Sequence, residues 1–478
     1  MEYQYNGIRR LASVDYSNLG ASGPRVRRQM FSGTDNYDGW DRFGRTVGQQ
    51  WEKYGSGAGI RDQFDYTYDY ASNRLTRANA LQTSLSQAYT YDGLHRLKSS
   101  DEQTASNDRH WTYDQLGNWE AVYNNLAGTG TAMQTRSHNS ANELGTISDS
   151  VDPVHDAAGN MTRIPKKISG SFTAKYDAWN RLVELTDGSD THTNQYDGLN
   201  RRIVRISPTE TRHFYYNRQW QVLEERVGGA MDKQYVYHPH YVDAIAMMRN
   251  AAGEEFYYLQ DANFNVTSVV DDQGTVKERY TYTPYGEVTV LNGFNDGDGA
   301  EWSPDPDNKS DIGNEYLYTG RRLDPETGLQ LNRNRFYASH LGRWVNRDPI
   351  RYLGGLNLYG YVGGMPTFFE DPFGLAAWLF PWEPGASWNP IDTARLWFGH
   401  SPSEHLDGLY TGDTNPSQDT ADAAYGASGD LLANQSIGIG ISGDFLIHPL
   451  IVDLEVDVLE CRFNPITGEY AGSFLGGR

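Results

Sequence analysis

The chain has 478 residues, room for several domains, yet only 38% are hydrophobic, and Tyr (33) and Gly (50) are over-used. A formal net charge of −21 argues against a nucleic-acid interface built on a basic face, and one cysteine excludes a disulfide framework or a multi-cysteine zinc site. No apolar run reaches the roughly 18 residues that span a bilayer, and the polar start, Met1 to Gly7, has no signal-peptide core.

The first element in chain order is a repeat. Tyr-Asp pairs stand at Tyr68-Asp69, Tyr91-Asp92, Tyr113-Asp114, Tyr176-Asp177 and Tyr196-Asp197, with degenerate copies at His138-Asn139, His155-Asp156, Tyr216-Asn217 and Tyr237-His238. Successive first positions differ by 23, 22, 25, 17, 21, 20, 20 and 21. Tyr37-Asp38 is an earlier, poorer fit. A unit near 21 residues holds two strands and two turns, and each such hairpin is stable only beside its neighbours. In the clearest copy, Tyr89 and Tyr91 share one strand face, Asp92-Gly93 is expected to turn the chain, with Gly93 accepting positive φ and Asp92 capping its own turn, and Arg96-Leu97 starts the return strand. The start of the chain reads as the middle of a repeat, so the chain is expected to be the back part of something longer.

These residues resemble the YD-repeat (RHS-repeat) family of bacterial toxin shells, with teneurins as animal relatives. The resemblance implies an all-β fold: consecutive antiparallel β-hairpins wound edge to edge into a curved, shell-like sheet. About ten hairpin units are expected to form only part of a closed shell.

From Tyr280 the pattern changes. The ordered series Tyr316 to Leu329, Arg335-Phe336-Tyr337, Leu341-Gly342-Arg343-Trp344, Arg347-Asp348-Pro349-Ile350, Asn357 to Tyr361 and Asp371-Pro372-Phe373-Gly374-Leu375 resembles the RHS-repeat-associated core domain. Three regions are therefore expected: a repeat wall over 1–279, a plugging core block over 280–375 and a variable segment over 376–478. An insert within the block carries Asn295-Asp296-Gly297-Asp298-Gly299, Asp305, Asp307 and Asp311. Alternating carboxylates can ligate calcium, but the EF-hand spacing is absent, and the insert reads as a solvated acidic loop. No metal and no cofactor is expected.

In the family, two Asp-Pro motifs are tied to self-cleavage just after the final Asp-Pro-x-Gly-Leu. Carried over, the resemblance implies a catalytic pair, Asp348 and Asp371, with Arg347 beside it and a scissile bond between Leu375 and Ala376. Two carboxylates brought close share a proton, so that one activates water and the other polarises the carbonyl. The expectation is a close approach of Asp348 and Asp371. One departure stands out: Arg351 replaces the glycine usual in the first motif, which puts the turn, and cleavage, in question. Both motifs also read simply as Asp-capped turns.

Residues 376–478 hold 14 acidic and three basic residues, Arg395, Arg462 and Arg478, and no lysine, so composition changes at the expected cut. Trp378 to Trp388 reads as a linker or docking strip, His400, His405 and Asp407 as a loop, and 411–430 as flexible. Ile437 to Glu460 alternates like strands, Cys461 reads as structural, and Asn464 to Gly468 as a turn. The resemblance makes this segment the cargo of its own shell, with toxin-complex or surface proteins as further partners and export by a non-classical or secretion-system route. Two other readings stay open: an uncut surface adhesin, and a toxin whose activity lies in 376–478.

Overall fold

Strand residues alternate between faces, and a wall of strands is held by hydrogen bonds only if each strand finds a neighbour. A computed structural model describes residues 2–5, 11–16, 26–29 and 39–375, apart from 56, 104–106, 189, 240 and 294–300, together with the backbone of 462–464 and 469–471. It divides into two units, Met1–Gly385 and Ala386–Arg478. In the first, twelve strands between Glu2 and Ile147 form one sheet and fourteen strands between Val154 and Asn292 form another, each in strict sequence order and antiparallel throughout. The second sheet thus runs through Tyr280 to Asn292 without a break. The only helical elements among the described residues are short 3-10 turns. The fold is all-β, as expected.

The Tyr-Asp pairs sit where hairpins turn. Asp92 Oδ1 accepts the amides of Leu94 and Arg96, both at 2.9 Å, and Oδ2 accepts Arg96 Nε at 2.7 Å. Asp41–Arg45, Asp177–Arg181 and Asp197–Arg201 repeat the arrangement. The carboxylate holds the amides of its second and fourth successors, so the reversal of hand falls on the third. His95, Asn180, Asn200 and Trp220 accordingly have φ of 63°, 61°, 65° and 63°. The expected aspartate cap is present, and the expected glycine at positive φ is corrected: Gly93 and Gly198 lie outside the left-handed region, so the side-chain cap, not the glycine, makes the turn.

Corners that keep the tyrosine and the arginine are tied to their neighbours in both directions. Arg45, Arg96, Arg181 and Arg201 reach forward through Nη1 to the carbonyls of Asp69, Asp114, Asp197 and Asn217. The repeat tyrosines reach back: Tyr91 to the Arg74 carbonyl, Tyr176 to Met161, Tyr196 to Leu182 and Tyr216 to Arg202. These hydroxyls are engaged within the wall and are not free to grip a cargo.

The core block lies against both sheets. Its own four-stranded sheet runs Arg322–Asp324, Leu329–Asn332, Arg335–Ala338 and Arg343–Trp344 in order. Against the first sheet, Arg136 Nη1 donates to the Leu341 carbonyl at 2.6 Å; beside it Tyr285, in the last hairpin of the second sheet, meets Trp119 with ring centres 4.6 Å apart and lies 2.8 Å, hydroxyl to hydroxyl, from Tyr113. Against the second sheet, buried ion pairs stand among apolar contacts such as Tyr235 on Tyr316 and Leu182 near Phe336. Arg202 pairs with Asp324, Arg205 with Glu315 at 2.7 Å, and Arg322 with both Glu225 and Glu315. Buried charges persist only when paired this fully, because an unpaired member costs several kcal/mol. The block is thereby held in one position, and the end of it, residues 371–375, is fixed relative to the wall.

In the second unit, Arg462–Asn464 pairs antiparallel with Glu469–Ala471, flanking the expected turn. The expectations for 376–461, including His400, His405, Asp407 and Cys461, fall outside the described residues, as do 295–299 of the acidic insert. Asp305 and Asp307 each accept the amide two residues on, at 3.0 Å, in Asx turns.

Candidate active site

The two Asp-Pro aspartates come from separate loops of the core block. The Asp348 amide donates to the Leu358 carbonyl at 3.0 Å, and Asp348 Oδ1 accepts the Ile350 amide at 3.0 Å. Asp371 follows Glu370 at the end of the block, and its Oδ1 accepts the Leu375 amide at 3.0 Å. Both side chains are almost fully buried, at 6% and 2% exposure. A single nitrogen joins them: Arg335 Nη2 lies 3.0 Å from Asp348 Oδ2 and 3.3 Å from Asp371 Oδ2. The structure therefore brings the two carboxylates together.

The bridging cation is Arg335, not Arg347. Arg347 donates to Glu143 at 2.9 Å and to the Tyr359 hydroxyl at 3.2 Å, and so pins the block to the wall. Arg335 is 3% exposed, stacks over Trp344 at 4.2 Å, and donates to the carbonyls of Gly374 and Leu358. The motif Arg335-Phe336-Tyr337 carries no mark of this role. The available signal was the dense Asn and Arg run at 332–335, more polar than a buried hairpin tip should be unless it binds something.

Burial pushes the Asp348 carboxyl up to about 7; Arg335 opposes the rise and the Asp371 charge adds to it. Desolvation wins, so near neutral pH this group exchanges a proton readily. The folded chain then binds a proton that the unfolded chain, with an Asp pKa near 3.9, does not. Stability contributed by this group therefore falls as pH rises from about 4 to about 7. Asp348→Asn is expected to flatten that slope, which a urea midpoint measured across pH 4–8 would register.

The expected scissile bond lies beside this pair. The Leu375 carbonyl oxygen would be 2.8 Å from a Cβ on Gly354, and Asp348 Oδ2 2.6 Å from that same point. Gly354 thus leaves open the space in which the carboxylate and the carbonyl are neighbours. Ala376 lies outside the described residues. Arg351, in the position where glycine was expected, has φ of 56°, a left-handed conformation costly for a residue with a Cβ. Arg351→Gly is expected to stabilise the loop by roughly 1 kcal/mol, seen as a higher denaturant midpoint.

No family model matches the chain. Among curated proteins it resembles toxin subunit YenC1 of Yersinia entomophaga, 24% identical over 404 residues, covering 71% of this chain and 39% of the relative. It also resembles double-stranded DNA deaminase toxin A of Burkholderia cenocepacia, 26% identical over 366 residues, covering 70% of this chain and 23% of the relative. Toxin protein Tse5 of Pseudomonas aeruginosa is 23% identical, over 78% of this chain and 27% of its own. The crystal structure of TcdB2–TccC3 matches with a TM-score of 0.58 at 19% identity, covering 78% of this chain and 20% of that one. The chain is similar in sequence to these toxin proteins and in fold to the toxin-complex structure. It spans well under half the length of these relatives. Its match to a solved toxin-complex structure is a match of fold.

Proposed function

We propose that this chain is a shell protein that encapsulates, carries or presents its own segment 376–478 and cuts itself between Leu375 and Ala376. The division into a wall (1–279), a core block (280–375) and a variable segment (376–478) belongs to the same reading. One observation carries it: two buried carboxylates share Arg335 beside the Leu375 carbonyl. Asp348, with its raised pKa and its place next to that carbonyl, is the proton donor. Asp371 takes a proton from water. The water oxygen bonds to the Leu375 carbonyl carbon, and Asp348 protonates the carbonyl oxygen. Collapse breaks the bond to the Ala376 nitrogen, which takes the proton held by Asp371 and leaves as an amine, while a hydroxyl proton returns to Asp348 and Leu375 becomes the new carboxyl end. Arg347 is a positioning residue in this scheme, through Glu143 and Tyr359.

The mass spectrum of the purified chain tests this. Fragments 1–375 and 376–478 are the expected products, and a single uncut mass that persists would remove the proposal. Relatives named as toxin subunits support a toxin-related shell; release of 376–478 through a toxin complex, and export by a non-classical or secretion-system route, belong to the same proposal. The second reading, activity in 376–478 itself, is favoured by the relatives named as a DNA deaminase toxin and as tRNA nucleases of Bacillus. The strongly acidic composition of that segment speaks against a target bound through phosphate electrostatics.

A further inference from the structure

The four carbonyls before Leu375 are gripped one at a time. Asn332 Nδ2 donates to the Asp371 carbonyl at 2.6 Å, Arg333 Nη1 to Pro372 at 2.6 Å, Asn334 Nδ2 to Phe373 at 3.0 Å and Arg335 Nε to Gly374. Each donor meets the carbonyl 39 positions further on, so two short stretches of chain run in fixed register.

The gripping side chains are themselves immobilised. Asn332 Oδ1 accepts Gln330 Nε2 at 2.9 Å. The Arg333 guanidinium is paired with Asp243 at 2.8 Å and lies over the Phe373 ring at 4.6 Å. Asn334 Oδ1 accepts Asn200 Nδ2, from a wall corner, at 2.8 Å. Arg335 is fixed by the two aspartates. The four residues form a two-residue hairpin turn, with Asn332 paired to Arg335 and Arg333 at φ 47°. Gly374, at φ 67°, lets the gripped chain pass against it: a Cβ there would come 2.4 Å from the Asn332 carbonyl oxygen.

The four grips are made to backbone carbonyls, while Arg333 over the Phe373 ring and Arg335 on the Asp371 carboxylate add contacts to side chains. Leu375 itself is held through its backbone amide, on Asp371. Recognition through carbonyls is blind to side-chain identity and sensitive only to position along the chain.

We propose that Asn332–Arg335 is a ruler: it selects the bond to be cut by counting backbone from its grip on 371–374, placing at the aspartates the peptide bond that follows the next residue, whatever its side chain. This rests on the self-cleavage reading and adds to it a rule for the position of the cut. It makes Asn332, Arg333 and Asn334 positioning residues.

The test uses the full chain in three forms: unaltered, Leu375→Ala, and with one glycine inserted between Gly374 and Leu375. The masses of the fragments are measured for each. Leu375→Ala is expected to be cut at the same bond, within about threefold of the unaltered rate. The insertion chain is expected to be cut after the inserted glycine, so that Leu375 begins the C-terminal fragment. A cut that still follows Leu375 in the insertion chain, no cut in that chain, or loss of cutting in Leu375→Ala would each overturn the ruler. An uncut unaltered chain would instead overturn the self-cleavage reading on which it stands.

Discussion

Asp371→Asn is expected to leave the chain in one piece. The substitution is close to isosteric, and an amide oxygen can still accept the Leu375 N–H that Asp371 Oδ1 accepts now. The loop that presents the scissile bond therefore keeps its shape. What is lost is the carboxylate that takes the proton from water in the proposed scheme. Removing a general base typically slows a reaction by about 10²–10⁴-fold, and for a single intramolecular turnover that turns cutting during purification into none over days. Intact mass spectrometry reads the result directly. Fragments 1–375 and 376–478 at the unaltered yield would mean that Asp371 has no part in the chemistry.

Arg335→Met is expected to cost far more than catalysis. Arg335 Nη2 is the shared partner of two buried carboxylates, and its other donors hold the carbonyls of Gly374 and Leu358. Removing one partner of a buried ion pair costs about 3–5 kcal/mol, because the other is left charged without compensation. That is a large part of the 5–15 kcal/mol by which folded domains are usually stable. The sign with pH follows from the pair: protonated carboxylates tolerate the loss of the cation, ionised ones do not. The destabilisation should therefore deepen from pH 5 to pH 8. Adding Asp371→Asn should recover part of it, since the neutral amide leaves one charge fewer to bury. Urea unfolding of the single and double variants at the two pH values checks both statements. Equal stability of Arg335→Met and the parent chain at pH 8 would show that the guanidinium is not what offsets these charges.

The repeat was legible because its information is local. A Tyr-Asp pair, its turn and the first residue of the return strand lie within about six positions, and the spacing of the pairs gave the strand order without any long-range inference. Where the hand of the turn reverses was not legible from glycine alone. At Asp92 the capping carboxylate decides it, and the left-handed residue is a histidine. At the candidate site, Asp348 and Asp371 were reachable from their motifs and are brought together by the structure. The cation was not. Arg347 is adjacent to Asp348 in sequence, but consecutive side chains in non-helical chain point apart, and Arg347 is directed to Glu143. Arg335 arrives from a hairpin tip 13 positions earlier, a relation set by the folding of the block and invisible to spacing.

The double ties between corners also constrain how such a wall can change length. Tyr196 reaches one corner back while Arg201 reaches one corner forward, so each unit is both lock and key for its neighbours. Adding or deleting a whole unit restores every tie at the new junction. Adding half a unit would carry each tyrosine and arginine to the opposite rim, where neither finds a carbonyl in register. Growth and loss in this architecture are therefore quantised, one complete hairpin at a time.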